Sequence, residues 1–104
     1  MRRVAFRMKL KTGCEAEYKR RHDEIWPDLS RKLAEAGVSD YSIFLDPETL
    51  ALFAVQMLSG DNTAHLLPQD PVVRRWWEYM ADIMETNPDK SPVCVPLPEM
   101  FHHD

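Results

Sequence analysis

The spacing of apolar residues along this 104-residue chain switches between the period of a strand and that of a helix, and the order of these segments limits the possible folds. Residues 3–10 alternate apolar and polar side chains, which predicts a strand with one buried face. Residues 40–46 and 50–58 predict two further strands. The turn sequence at 46–49, Asp-Pro-Glu-Thr, favours a hairpin between them.

The longest helical pattern covers residues 14–36, where charged side chains flank one apolar stripe. Pro27 lacks a backbone N–H and clashes with the preceding turn, so we expect a kink or a restart of the helix near Trp26. Gly37 is expected to end this segment. The stripe consists of Tyr18, His22, Ile25, Trp26, Leu29 and Leu33.

A second helix is predicted from about Asp70 or Pro71 to Met84. Asp70 suits the N-cap because its carboxylate can accept a hydrogen bond from a free backbone N–H, and Pro71 suits the first helical position. Residues 93–101 predict a last strand, which its two prolines confine to a sheet edge or an irregular arm.

The order of segments is therefore β-α-β-β-α-β, within a single domain over residues 1–104. This order is typical of an α+β, ferredoxin-like sandwich. In that arrangement two helices cover one face of an antiparallel sheet and leave the other face open.

The predicted strand at 50–58 is apolar on both faces, although a sheet with one wet face should alternate more cleanly. A second copy of the chain is the simplest cover for the open face. We therefore expect a homodimer of the dimeric α/β-barrel type, with a monomer that exposes a few apolar residues as the alternative. The two apolar sets are Leu50, Leu52 and Ala54 on one face, and Ala51, Phe53, Val55 and Met57 on the other.

Charge and hydropathy exclude two classes of partner. Thirteen Lys and Arg against seventeen Asp and Glu give a net charge of −4, which argues against binding of nucleic acid. No apolar run is long enough to span a membrane, so no membrane association is expected. Charged residues at positions 7, 9 and 11 interrupt any apolar leader.

Cys14 and Cys94 lie far apart and form no C-x-x-C pair, so two free thiols are expected. Free thiols are typical of a reducing compartment, which favours a cytoplasmic location.

Neither a metal nor a cofactor is expected. His102, His103 and Asp104 look like a ligand cluster, but adjacent residues of an extended chain point to opposite sides, and an exposed tail is the simpler interpretation. The chain contains no glycine-rich phosphate loop, dinucleotide fingerprint or zinc-protease motif.

The strongest candidate for proton-transfer chemistry is His22, four residues after Tyr18 on the first predicted helix. Residues at i and i+4 are neighbours on a helix, so a phenol and an imidazole can face the sheet side by side. An imidazole with a pKa of about 6.5 exchanges protons readily near neutral pH. The alternative is a core histidine held by one hydrogen bond.

Trp76 and Trp77 are candidates for substrate binding. Adjacent helical residues point about 100° apart, so one indole can pack in the core while the other faces a cleft. Flat aromatic faces suit the C–H faces of a sugar, although two core tryptophans would give the same pattern. Tyr41, near the start of a strand, could bring a hydroxyl to the edge of the sheet.

Three segments resemble one known family. Residues 18–29 resemble the Y-x-R-R-H-x-x-I-W-P-x-L signature of L-rhamnose mutarotases, and residues 75–84 resemble that family's R-W-W-x-Y-M-x-D-x-M segment. Residues 87–93 match its N-P-D-x-S-P-V loop, and Tyr41 fits as well. Order, spacing and length agree over nearly the whole chain.

The resemblance implies a dimeric ferredoxin-like isomerase that interconverts the α and β anomers of L-rhamnose without a cofactor. It implies His22 as the proton donor, with the sugar site lined by Tyr18, Tyr41, Trp76 and Trp77. We expect His22 to act as the acid at the ring oxygen, and the base stays open between a tyrosine, a carboxylate and water. Two alternatives remain: a cofactor-free monooxygenase on the same scaffold, and a sugar-binding dimer without catalytic activity.

Overall fold

The computed structural model describes residues 1–104, and its elements follow the predicted order. The four strands are β1 (Arg2–Lys9), β2 (Val38–Asp46), β3 (Ala51–Leu58) and β4 (Val95–Leu97). The three α-helices are α1 (Glu15–Asp23), α2 (Pro27–Glu35) and α3 (Pro71–Met80), and a 3₁₀ helix covers Ala64–Gln69. None of the helices combines the length and apolar character needed to cross a membrane.

All strands are antiparallel to their neighbours, in the order β2-β3-β1-β4. The first and third strands therefore lie in the middle, and each βαβ half is split by a strand from the other half. This confirms the predicted ferredoxin-like fold. β4 pairs only with β1, at the sheet edge, as its two prolines predict.

The long helical segment is broken where Pro27 predicts it. α1 ends at Asp23, Trp26 has extended backbone angles (φ −61°, ψ 130°), and α2 begins with Pro27 at its first position. Proline is tolerated there because the first N–H of a helix has no intrahelical partner. Both segments keep residues of the predicted stripe in the core, since Tyr18 of α1 and Leu29 of α2 are buried there.

The second helix and the last strand are shorter than predicted. α3 ends at Met80 rather than Met84, because the following residues pair with the end of β1. The N–H of Lys11 donates to the carbonyl of Ile83 at 2.9 Å, and the N–H of Glu85 donates to the carbonyl of Lys9 at 3.0 Å. Only residues 95–97 of the predicted strand at 93–101 enter the sheet.

The two faces of the sheet differ in burial. Residues opposite one another in the register share a face, and the face under the helices includes the buried Met8, Leu52 and Ala54. The opposite face carries Phe44 directly beside Phe53, and they are 63 % and 36 % exposed. The apolar character of both faces of β3 is thus confirmed.

Candidate active site

A cavity of about 1180 Å³ lies between the helices and the sheet, and most of its wall is apolar. α1 and α3 form one side, β2 and β3 the other, and the chain before β4 closes part of the rim. All five residues predicted from the sequence line this cavity: Tyr18, His22, Tyr41, Trp76 and Trp77.

Tyr18 and His22 stand side by side on α1, as their spacing predicts. Their rings are stacked, with centroids 4.2 Å apart and planes inclined by 26°. The helix fixes this arrangement because side chains one turn apart cover the same face. Tyr18 is only 8 % exposed, so the stack is held in the protein interior while both residues line the cavity.

The imidazole of His22 is oriented by the backbone of its own helix. Its Nδ1 lies 3.1 Å from the carbonyl oxygen of Tyr18, and a carbonyl can only accept a hydrogen bond. Burial lowers the pKa of His22 below its ordinary value of 6.5, while this hydrogen bond and the Asp23 carboxylate partly oppose the shift. Near neutral pH the ring is therefore uncharged, with its hydrogen on Nδ1.

Trp76 forms the centre of an aromatic cluster beside His22. Its ring meets the imidazole edge-on at 5.4 Å and Trp26 at 5.1 Å, and Tyr79 lies 5.6 Å away. Trp76 is buried in the core, whereas Trp77 is half-buried and contributes to the cavity wall. The tryptophan pair is therefore divided between core and cleft, as adjacent helical positions predict.

Tyr41 brings its hydroxyl from β2 to the opposite wall of the cavity. Burial raises its pKa to about 12, and the Cys94 thiol adds to this shift. Burial also raises the pKa of Tyr18, with a further contribution from Tyr41. Both are protonated near neutral pH and can donate hydrogen bonds to a bound ligand.

The loop at residues 86–94 completes the cavity wall and is held in shape by its own hydrogen bonds. Asp89 accepts from the backbone N–H of Ser91 at 3.0 Å, and the N–H of Lys90 donates to the carbonyl of Asn87 at 2.9 Å. Lys90 adopts a left-handed backbone (φ +73°), a conformation that non-glycine residues rarely take. The lining residues from this loop are Thr86, Lys90, Ser91, Pro92 and Cys94.

Arg21, next to His22 in sequence, ties α1 to the end of α3. Its guanidinium donates to Glu17 at 2.7 Å, to the carbonyl of Tyr79 at 2.7 Å, and to both carboxylate oxygens of Asp82. It also lies 4.4 Å from the centre of the Tyr79 ring. The sequence analysis placed Arg21 only among the charged side chains that flank the apolar stripe, whereas the structure buries it. Because a buried charge has to be paired, Arg21 and its partners are part of the site's support.

The five residues predicted from the sequence thus line one cavity, but sequence reasoning missed Arg21 and Asp82 and the contribution of the loop before β4. Helical periodicity can find Tyr18 and His22, but the partner of Arg21 lies 61 residues further along the chain. The structure brings no three or more His, Cys, Asp and Glu side chains together in a way that could hold a metal ion, in the C-terminal tail or elsewhere. In that tail His102 contacts Asp104 at 2.9 Å.

Comparison with known proteins agrees with this geometry along the full length of the chain. The sequence model of the L-rhamnose mutarotase family matches residues 3–103. The L-rhamnose mutarotase of Phocaeicola vulgatus is 53% identical over 104 residues, and the match covers 100% of both chains. That of Mesorhizobium japonicum is 59% identical over 100 residues, which is 96% of this chain and 95% of the relative.

A solved structure gives the same result for the fold. The crystal structure of an L-rhamnose mutarotase from Formosa agariphila superposes with a TM-score of 0.93 at 50% identity, and the match covers 100% of both chains. Sequence and structure therefore agree over the whole chain, including the helix that carries Tyr18 and His22. This chain belongs to the L-rhamnose mutarotase family.

Proposed function

We propose that this protein is an isomerase that interconverts the α and β anomers of L-rhamnose. The observation that carries the proposal is the Tyr18–His22 stack, which stands on the wall of a largely apolar cavity next to Trp76. It is supported by a chain that matches L-rhamnose mutarotases from end to end.

The reaction opens the pyranose ring to an aldehyde, allows rotation about C1–C2, and closes the ring from the other face. It requires one group that accepts a proton and one that donates a proton, and neither redox chemistry nor a Lewis acid. Proton transfer by positioned side chains contributes typically about 10²–10⁴-fold to a rate. His22 is the catalytic residue we assign to proton transfer, because its imidazole faces the cavity and exchanges protons near neutral pH.

The remaining site residues bind the sugar in this proposal. The indoles of Trp76 and Trp77 offer flat apolar surface to the C–H faces and to the methyl group of a 6-deoxy sugar. The hydroxyls of Tyr18 from α1 and Tyr41 from β2 supply polar partners for sugar oxygens. An apolar pocket with a few placed polar groups is the usual form of a small-molecule site.

The test is anomer exchange of L-rhamnose, measured by NMR with catalytic amounts of protein. The wild type should accelerate exchange, and His22→Ala should lose most of the acceleration. His65→Ala is the matched control, since His65 is exposed and lies outside the cavity, and it should behave as wild type. Sugar binding without faster exchange would contradict the proposal, and full activity of His22→Ala would remove that residue from its role.

We also propose that the working form is a homodimer in which the open faces of two sheets pack together. On this face Phe44 of β2 lies directly beside Phe53 of β3, and Val95 of β4 follows beyond Arg7 of β1. Large apolar side chains exposed side by side on a sheet face are typical of an interaction surface. We further place the enzyme in the cytoplasm, on the evidence that Cys14 and Cys94 are free thiols.

A further inference from the structure

We propose that the carboxamide of Gln56 hydrogen-bonds one hydroxyl of the bound sugar and is a specificity-determining residue of this site. The inference deepens the proposed function and rests on it. It adds a binding residue outside the predicted set and leaves the proton-transfer role of His22 unchanged. A carboxamide has both a donating NH₂ and an accepting carbonyl, so it can pair with a hydroxyl in either direction.

The first step of the argument is the place of Gln56 on the sheet. Side chains alternate along a strand, so Gln56 shares the face of Ala54 and Leu58, which are both buried under the helices. On β1 its partner in the register is the apolar Val4. Gln56 itself is half-buried and lines the cavity. A glutamine normally lies on the solvated face of a sheet, and this one lies on the face that forms the core.

The second step concerns the polar groups of the cavity floor, which is the sheet face formed by β1, β2 and β3. Of the cavity residues in these three strands, only Tyr41 and Gln56 carry a polar side chain. All the others are apolar and can offer a sugar only van der Waals contact. Any hydroxyl of the substrate that points towards the sheet therefore has these two residues as its side-chain partners.

The third step is the closeness of these two residues. The register between β2 and β3 shifts between Ser39 and Ser42, so that Asp40 and Tyr41 together lie opposite Gln56. The left-handed backbone of Asp40 (φ +48°) accommodates the extra residue of this bulge. Cβ atoms of directly opposed cross-strand residues lie about 5 Å apart. A sugar that reaches the Tyr41 hydroxyl is therefore within reach of the Gln56 carboxamide as well.

The fourth step is the availability of the carboxamide. The side-chain hydrogen bonds of the protein do not involve Gln56, and no polar side-chain atom is both sealed from solvent and unpaired. Both observations hold only if the carboxamide opens onto accessible space, and the space that Gln56 lines is the cavity. An apolar pocket with a few polar groups free to bind is the usual form of a specific small-molecule site.

This position also separates a binding role from a structural one. A polar group held among apolar neighbours without a partner in the protein does not stabilise the fold. Replacing Gln56 by the similarly shaped but apolar Met should therefore keep or raise the urea midpoint. Binding residues commonly show this combination of lost function and kept or increased stability.

The first test is the kinetics of anomer exchange of L-rhamnose by Gln56→Met, after subtraction of the spontaneous rate. KM should rise about tenfold while kcat stays within about twofold of wild type, because the contact is present in both ground and transition states. Gln69→Met is the matched control, since Gln69 is exposed and lies outside the cavity, and it should keep the wild-type KM. A wild-type KM in Gln56→Met, or a rise in KM that Gln69→Met shares, would overturn the inference.

The second test identifies the hydroxyl with analogues of L-rhamnose that lack the hydroxyl at C2, C3 or C4. For wild type, one of these deletions should raise KM about tenfold because it leaves the carboxamide unpaired. In Gln56→Met that same deletion should have no further effect, while the effects of the other two stay as in wild type. Three unchanged effects would refute the role of Gln56 alone. No acceleration of L-rhamnose exchange by wild type would instead refute the proposed function itself.

Discussion

The guanidinium of Arg21 and the carboxylate of Asp82 join α1 to the chain just beyond α3 through two hydrogen bonds, of 2.9 and 3.2 Å. Arg21 precedes His22, and Asp82 follows the helix that carries Trp76. The pair therefore fixes the distance between the helix of the proton-transfer stack and the helix of the aromatic wall. Arg21 is a positioning residue in this interpretation, because it acts through His22 and does not face the cavity.

Replacing Arg21 by Met should lower the free energy of unfolding by about 1–3 kcal/mol, because a nearly buried guanidinium loses its charge-assisted hydrogen bonds. kcat should fall more than KM rises, since the sugar contacts remain while the imidazole loses its fixed position. Arg21→Lys keeps the charge and should restore part of kcat.

Arg31→Met is the control. The side chain of Arg31 is 61 % exposed, so its ion pair with Asp28 should contribute under about 1 kcal/mol to the free energy of unfolding. Equal effects of the Arg21 and Arg31 variants on kcat would contradict the positioning role.

The same network predicts how stability changes in acid. Hydrogen bonds from Arg20 and Arg21 lower the pKa of Glu17 to about 2, and Arg21 lowers that of Asp82. Both folded-state values lie below the unfolded ones, so the stabilisation is complete above about pH 4.5 and is lost as pH falls towards about 2. Urea midpoints measured from pH 6 to pH 2.5 should decrease within this window. The decrease should be smaller in Arg21→Met, and an identical decrease would show that other carboxylates cause it.

The strands, the helix break and the five cavity residues were predictable because each depends on local periodicity or on one residue's own chemistry. Pro27 breaks a helix in any context, and the spacing of Tyr18 and His22 fixes their adjacency once α1 forms. The end of α3 was not predictable in this way. Ile83 and Met84 are buried, which suits a continued helical stripe equally well, but their backbone pairs with the end of β1.

The ion pair of Arg21 with Asp82 could not be predicted from the sequence, for a different reason. A pair such as Arg21 and Asp82 depends on where two distant segments meet, and neither charge differs locally from a solvated one. The same holds for the resting state of His22, because the hydrogen bond to the Tyr18 carbonyl and the surrounding burial set its tautomer. Periodicity could place the imidazole in the site but could not give its charge or its tautomer.

The structure requires a glycine at position 37, for reasons of backbone conformation and of space. Its φ is +86°, and a Cβ there would overlap the hydroxyl of Ser59 and approach Asn62. Gly37→Ala should therefore destabilise the protein by about 1–3 kcal/mol, through backbone strain and the clash together. Gly60→Ala is the matched control, since its added methyl would meet open space without a left-handed backbone, and its urea midpoint should equal that of wild type. Similar midpoints for the two variants would contradict the requirement at Gly37.

The open face of the sheet gives the last prediction, which concerns assembly. Phe44 is 63 % exposed and lies directly beside Phe53, so a glutamate at position 44 would place a charge within the proposed dimer interface. A buried charge without a partner costs several kcal/mol, which is enough to shift a dimer to monomers at micromolar concentration. Phe44→Glu should therefore sediment as a monomer where wild type sediments as a dimer. Leu66→Glu is the control, because Leu66 is also exposed (48 %) but belongs to the 3₁₀ helix, and it should remain dimeric. A wild-type monomer at these concentrations, or a dimer that survives Phe44→Glu, would show that two copies do not pack through this face.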